Sequence, residues 1–236
     1  VGGPARTLGG VLLEPEIEND VAYELCQIVG RALLPLRTAG RFGTAFLFAD
    51  AAGVDHLLTA DPLAGAAEVG LRPSVTEPPG AADSITPAAA GWTRRPDLGV
   101  AILPMAGPHA YAREHGWRWR TQPVTDGLAA GPATLARVGA QPGSAFVLAH
   151  GVRPEPGTPR PLEVAVERVV RDGDLLLVDA ALPDGYVGAP VFGVDTDADG
   201  DLGVHCLGVL LPGDGARHPV APFDRIRAAV AELPTG

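Results

Sequence analysis

The side chains that could do chemistry are few and scattered along the chain. The densest group is Asp195-Thr196-Asp197-Ala198-Asp199-Gly200-Asp201. Its alternating carboxylates and turn-permitting glycine match the first half of a calcium-binding loop. The match then stops, because the place of the bidentate glutamate is Cys206 and the flanks read as strands. A solvated hairpin tip between Val191–Gly193 and the strand ending at Leu211 is the plainer reading, with Asp and Gly as turn formers. Five histidines, His109, His115, His150, His205 and His218, show no metal-ligand spacing. His205 and Cys206 are neighbours and project to opposite faces of a strand, which disfavours a Cys-His dyad. Ser144, in Gln141-Pro142-Gly143-Ser144, reads as a turn residue without the glycine setting of a nucleophile elbow. Trp117-Arg118-Trp119-Arg120 combines aromatic faces with cations and suits either partner anchoring or packing over a groove.

These residues need elements to hold them. Between Glu18 and Leu33, Val21, Leu25, Ile28, Val29 and Leu33 recur at helical spacing and Asn19 can cap the start, which predicts one amphipathic helix ended by Pro35. From Phe42 the pattern changes to short Val-, Phe- and Leu-rich runs bounded by Gly, Pro and Asp. Strands are predicted at Gly43–Phe48, Asp55–Ala60, Leu98–Leu103, Ala145–Ala149, Leu162–Val170, Asp174–Asp179, Ala189–Gly193 and Val204–Leu211. Arg72–Ala90 and Gly107–Pro132 are rich in Pro and Gly and are expected to be loops, the second linking two halves. A closing helix is predicted after Pro222, where Phe223, Ile226, Ala229, Val230 and Leu233 share a face.

Three segments in order resemble the trypsin-like, chymotrypsin-fold serine peptidases of bacteria. Gly43-Thr44-Ala45-Phe46, followed by His56-Leu57-Leu58-Thr59-Ala60-Asp61-Pro62, resembles that family's Gly-Thr-Gly-Phe strand and the next strand ending in Thr-Ala-Ala-His. Asp97-Leu98-Gly99-Val100 resembles the strand that begins with the triad aspartate. Gly185-Tyr186-Val187-Gly188-Ala189-Pro190-Val191 resembles the nucleophile loop Gly-x-Ser-Gly-Gly-Pro-Val. The resemblance implies an all-β, chymotrypsin-like double β-barrel of two antiparallel six-stranded barrels with an N-terminal and a C-terminal helix. The expected divisions are an N-terminal extension over 1–40, barrels over 41–115 and 116–222, and a helix over 223–236.

The departures from that pattern decide the functional expectation. Pro62 stands at the general-base position and cannot accept a proton, and Val187 stands at the nucleophile position with nothing to attack a carbonyl. Asp97 alone keeps its triad identity, and in the intact mechanism it orients a histidine that is absent here. Gly185 and Val187 flank the place of an oxyanion hole, whose backbone is expected to persist. His56 belongs to the opposite end of its strand from Pro62, too far away to substitute. The expectation is therefore a non-catalytic member, a pseudoprotease that binds a peptide, a protein or another domain of its own polypeptide. The alternative is a serine-type hydrolase using unrecognised or partner-supplied residues.

Composition sets outer bounds. The net charge is −10 and all 18 cations are Arg, so nonspecific binding to nucleic acid or an anionic membrane is disfavoured and a lysine nucleophile is excluded. With 46% hydrophobic residues the chain can bury a sizeable core. Two cysteines, Cys26 and Cys206, are too few for a disulfide scaffold and read as buried free thiols. No signal-peptide pattern opens the sequence, which favours a cytoplasmic location, and the Val start suggests a longer parent chain. No cofactor is expected, with Ca2+ the one candidate, at Asp195, Asp197, Asp199 and Asp201.

Overall fold

A computed structural model describes residues 15–65, 68–71, 84–88, 91–117, 121–140, 146–152, 162–196 and 202–233. Helix α1 (Pro15–Val29) buries Ala22, Leu25 and Val29 and leaves Tyr23 and Ile28 in solvent. It ends four residues before the predicted limit, where the Gly30 amide closes the last turn on the Cys26 carbonyl. Leu33 instead opens strand β1 (Leu33–Thr38), which pairs with β2 (Arg41–Ala49) from Leu33↔Phe46 to Thr38↔Arg41. The run Ala32–Leu36 is buried throughout, so it carries no periodicity to separate strand from helix. Residues 33–38 therefore pair into the first sheet.

The first sheet continues with β3 (Asp55–Ala60), β4 (Glu68–Gly70), β5 (Ser84–Ile85), β6 (Thr93–Arg95) and β7 (Val100–Pro104), in the order β5-β4-β1-β2-β3-β7-β6. Among the described residues it is a curled, open sheet and not the closed six-stranded barrel expected. The stretch predicted as one long loop holds helix α2 (Ala106–Glu114) and strand β8 (Val124–Thr125), and helix α3 (Pro132–Arg137) starts at its last residue. α2 buries only Ala112, so its sequence has almost no apolar periodicity to read. β8 runs parallel to β2 through Phe48↔Val124, which carries the first sheet past the expected boundary at residue 116.

The second half is a closed barrel. Its strands are β9 (Phe146–Val152), β10 (Leu162–Asp172), β11 (Leu175–Val178), β12 (Pro190–Thr196), β13 (Leu202–Leu210) and β14 (His218–Pro222), closed in the order β10-β11-β14-β13-β12-β9. Successive residues on a strand face opposite ways, and here both ways are buried. Val147 and Ala149 join Val191, Leu207 and Val178 in the barrel interior, while Leu148, Phe192 and Val194 join the core shared with the first sheet. α4 (Phe223–Ala231) closes that shared core with Phe223 and Ile226, and the Phe223 ring meets Phe48 edge-on at 4.8 Å. α1 spans the same junction, buried against the core on one side and paired through Glu18 with Arg168 of β10 at 3.2 Å on another. Among the described residues no helix is long and apolar enough to cross a membrane.

Candidate functional site

The three segments singled out by sequence meet where the open sheet contacts the barrel. β3 ends at Ala60 and the chain makes a 3-10 turn over Asp61–Leu63, with Pro62 supplying a preset φ in its first turn. The Asp61 amide donates to the Gly99 carbonyl at 2.8 Å, which fixes the turn carrying Asp97 beside the end of β3. From the barrel comes the loop of Val187, which leaves a 3-10 turn over Asp184–Tyr186. Thr44 grips that loop twice, its amide donating to the Val187 carbonyl at 2.8 Å and its hydroxyl to the Gly185 carbonyl at 2.7 Å. The Thr59 hydroxyl in turn donates to the Thr44 carbonyl at 2.8 Å. Gly188 sits at φ +84, so close to the Thr44 carbonyl and the Thr59 hydroxyl that no side chain fits there.

Val187 is 8% exposed and belongs to the same apolar cluster as Ala60 and Leu63, so hydrocarbon surrounds its side chain. The Val187 amide donates to the Asp184 carbonyl at 3.0 Å. That amide is thus turned inward and used within its own turn. The cause is local: the 3-10 turn closes on the residue three before Val187 and consumes its N–H.

Asp97 also faces elsewhere. Its side chain is 60% exposed and takes Arg95 on both oxygens at 3.2 Å, and Arg95 continues to Glu232, just beyond α4, at 2.8 Å. The hydrogen bonds from Arg95, first among the causes, hold the Asp97 carboxyl below its ordinary range. It is an ionised surface carboxylate tied to its own turn. Beside Pro62, Asp61 forms a two-pronged pair with Arg94 of β6 at 2.7 and 2.8 Å, a contact that no local sequence pattern signals.

The histidines lie in separate places. His56 pairs with Asp50 at 3.2 Å at the far end of β3 from Pro62. Burial pushes the Asp50 carboxyl up, but the Val54 and Ala52 amides and His56 together bring it below its ordinary value. His109 meets Asp55 at 3.0 Å, and His115 meets the Tyr111 carbonyl at 2.8 Å. His218 bridges the Leu211 carbonyl and the Leu182 amide, donating through Nδ1 and accepting through Nε2. His150, on β9, is fully buried edge-on to Phe192, and among the described residues neither ring nitrogen has a hydrogen-bond partner of good geometry. Burial pushes its pKa down to about 4. Both cysteines are free, Cys206 buried and Cys26 only half-buried, and burial raises both thiols. Among the described residues no three Asp, Glu, His or Cys side chains could share a metal ion. Asp195 ends in β12, but its side chain and all of Asp197, Asp199 and Asp201 lie outside the described residues, as do Ser144 and the run from Arg118 to Arg120.

Next to the Val187 loop a pocket of about 450 Å³ opens between the two halves, with Arg37, Arg41 and Phe42 on one wall and Pro183, Asp184 and Gly185 on the other. Arg41 Nη1 donates to the Pro62 carbonyl at 3.4 Å.

No protein-family model matches the chain, and no curated protein does. Solved structures do. The chain is similar to the Rv3671c protease of M. tuberculosis H37Rv in an inactive form, with TM-score 0.54 and 17% identity over 97% of this chain and 100% of that one. It is also similar to the serine endoprotease from Yersinia pestis, with TM-score 0.53 and 13% identity over 89% of this chain and 65% of that one. Deg5 matches with TM-score 0.52 and 16% identity over 92% and 94% of the two chains. At these identities the likeness is one of fold: a chymotrypsin-like arrangement of a closed six-stranded barrel and a curled half-barrel, with helices at both ends.

Proposed function

We propose that this chain is a non-catalytic, bacterial-type relative of the trypsin-like proteases that binds a peptide or protein segment in the cleft between its two halves. One observation carries the reading: at the junction where the three segments meet, the base position is Pro62 and the nucleophile position is the buried Val187. The inward Val187 amide and the outward Asp97 support it, because neither charge development on a carbonyl oxygen nor orientation of a base has a group to serve it. Fold alone does not dictate function, so the bound segment can belong to a separate protein or to another domain of the same polypeptide. No cofactor has a part in this reading, Ca2+ at the Asp195 loop included. The net charge of −10 argues against nucleic acid and anionic membranes as partners.

A fluorophosphonate probe and a fluorogenic peptide library test the catalytic half of this proposal, and the expected result is no labelling and no turnover above buffer. Stoichiometric labelling abolished by substituting a single serine overturns it in favour of a hydrolase with unrecognised residues. The binding half is tested by selecting peptides on the immobilised chain, and selection of none at micromolar protein refutes it.

A further inference from the structure

A proton does opposite things to different histidines of this chain. His56 and His109 each face a carboxylate, Asp50 at 3.2 Å and Asp55 at 3.0 Å, and a proton on either ring strengthens the pair. His218 is bonded differently. Its ring is buried, Nδ1–H donates to the Leu211 carbonyl at 3.0 Å, and the bare Nε2 accepts from the Leu182 amide at 3.3 Å. Those two bonds require the neutral ring, because a carbonyl can only accept and a backbone amide can only donate. A proton on Nε2 sets N–H against N–H and breaks the second bond. The charged groups on the neighbouring elements do not compensate. Asp179, beyond β11, is taken by Arg217 at 2.6 Å, and Asp214, before β14, accepts the Ala216 and Arg217 amides at 3.0 Å. Asp184 lies on the loop itself, and none of these carboxylates bonds to the imidazole.

The Leu182 bond sits at the root of the loop that carries Val187. Before it, the Asp179 amide donates to the Arg168 carbonyl at 2.9 Å, and after it the Tyr186 amide closes on the Pro183 carbonyl at 3.0 Å, within the loop. Pro183 and Asp184, next along the chain, line the 450 Å³ pocket. The far end of the loop is held by Thr44 and by the Gly188 amide, which donates to the Leu210 carbonyl at 2.8 Å. No member of those bonds titrates, so pH acts on the root alone.

We infer that His218 is a proton-sensitive latch on the cleft wall: its neutral ring holds the root of the Val187 loop to β14, and proton uptake at Nε2 releases residues 180–184. Opening frees the ring to take a proton, so the latch is closed at neutral pH and opening gains as pH falls. The inference goes beyond the binding reading and does not depend on what the cleft takes, and its test uses the unliganded chain.

Two measurements on the full chain test it. Nitrogen-15 chemical shifts of labelled histidine are expected to show His218 at pH 8 with its proton on Nδ1 and a bare Nε2. Hydrogen exchange of the 180–187 segment, corrected for the intrinsic rate, is expected to show opening that rises by up to about 10-fold per pH unit between pH 6.5 and pH 5. His218→Gln supplies a donor and an acceptor that do not titrate, and is expected to hold the opening level over the same range. A proton on Nε2 at pH 8 overturns the inference, as does opening in the parent that is independent of pH or that rises equally in His218→Gln. Should the variant fail to fold, the tautomer and the parent profile decide between the same outcomes.

Discussion

His150 offers the sharpest test of the packing at the junction of the two halves. Its imidazole is 0% exposed with both ring nitrogens unpartnered, so the folded protein holds it neutral, with a pKa near 4 against an ordinary 6.5. Unfolding lets it take up a proton at any pH below 6.5. The folded pKa is depressed and the charged form is the protonated one, so the titration of His150 adds no cost to the fold well above pH 6.5. The penalty grows as pH falls from 6.5 to 4 and is level below that. The difference corresponds to a few kcal/mol at full development, and to about 2 kcal/mol at pH 5. Replacing it with leucine in His150→Leu removes the titration and the orphaned nitrogens together. At pH 8 the variant should equal or exceed the parent by about 1–2 kcal/mol. Between pH 8 and pH 5 its advantage should widen by about 2 kcal/mol, or about 0.8 M in the urea midpoint at an m-value of about 2.5 kcal/mol/M. Urea unfolding followed by tryptophan fluorescence measures both quantities, and every other titrating group cancels between parent and variant. A gap that stays constant from pH 8 to pH 5 refutes the reasoning.

Three further outcomes follow from the grip of the first sheet on the Val187 loop. Gly188→Ala places a methyl group into the Thr44 carbonyl at positive φ and should lower stability by about 3 kcal/mol or more, read in a thermal or urea melt. Thr44→Val keeps the shape but removes the hydroxyl that donates to the Gly185 carbonyl, and should cost about 1–2 kcal/mol and speed amide exchange in the 184–188 segment. Pro62→His combined with Val187→Ser should fold yet gain no fluorophosphonate reactivity, because Asp97 is engaged by Arg95 and the amide of residue 187 by the Asp184 carbonyl. Rapid labelling of that double variant would contradict the described orientation of both groups.

Much of the architecture was legible in local pattern. Short β-branched runs between Gly, Pro and Asp marked the strands near residues 43–48, 55–60, 162–170 and 204–211, and the closing helix announced itself by Phe223, Ile226, Ala229 and Val230 on one face. Where burial is complete, as in Leu33–Leu36, periodicity vanishes, so the helical pattern runs on to Leu33 and the strand that begins there goes unmarked. Where burial is nearly nil, as in α2, it vanishes again and loop was read for helix.

The amino-acid order settled by itself which atoms stand at positions 62 and 187, and with them that neither side chain can carry a proton or form a covalent bond to a substrate. Residue type is a local fact and needs no coordinates. Only the tertiary structure decided where the surviving groups point: the Asp97 carboxylate toward Arg95 and solvent, and the Val187 amide into its own turn. Those directions are set by hydrogen bonds such as that from Thr44 to Gly185, 141 residues apart, and no local pattern in a sequence records which distant partner a donor will find.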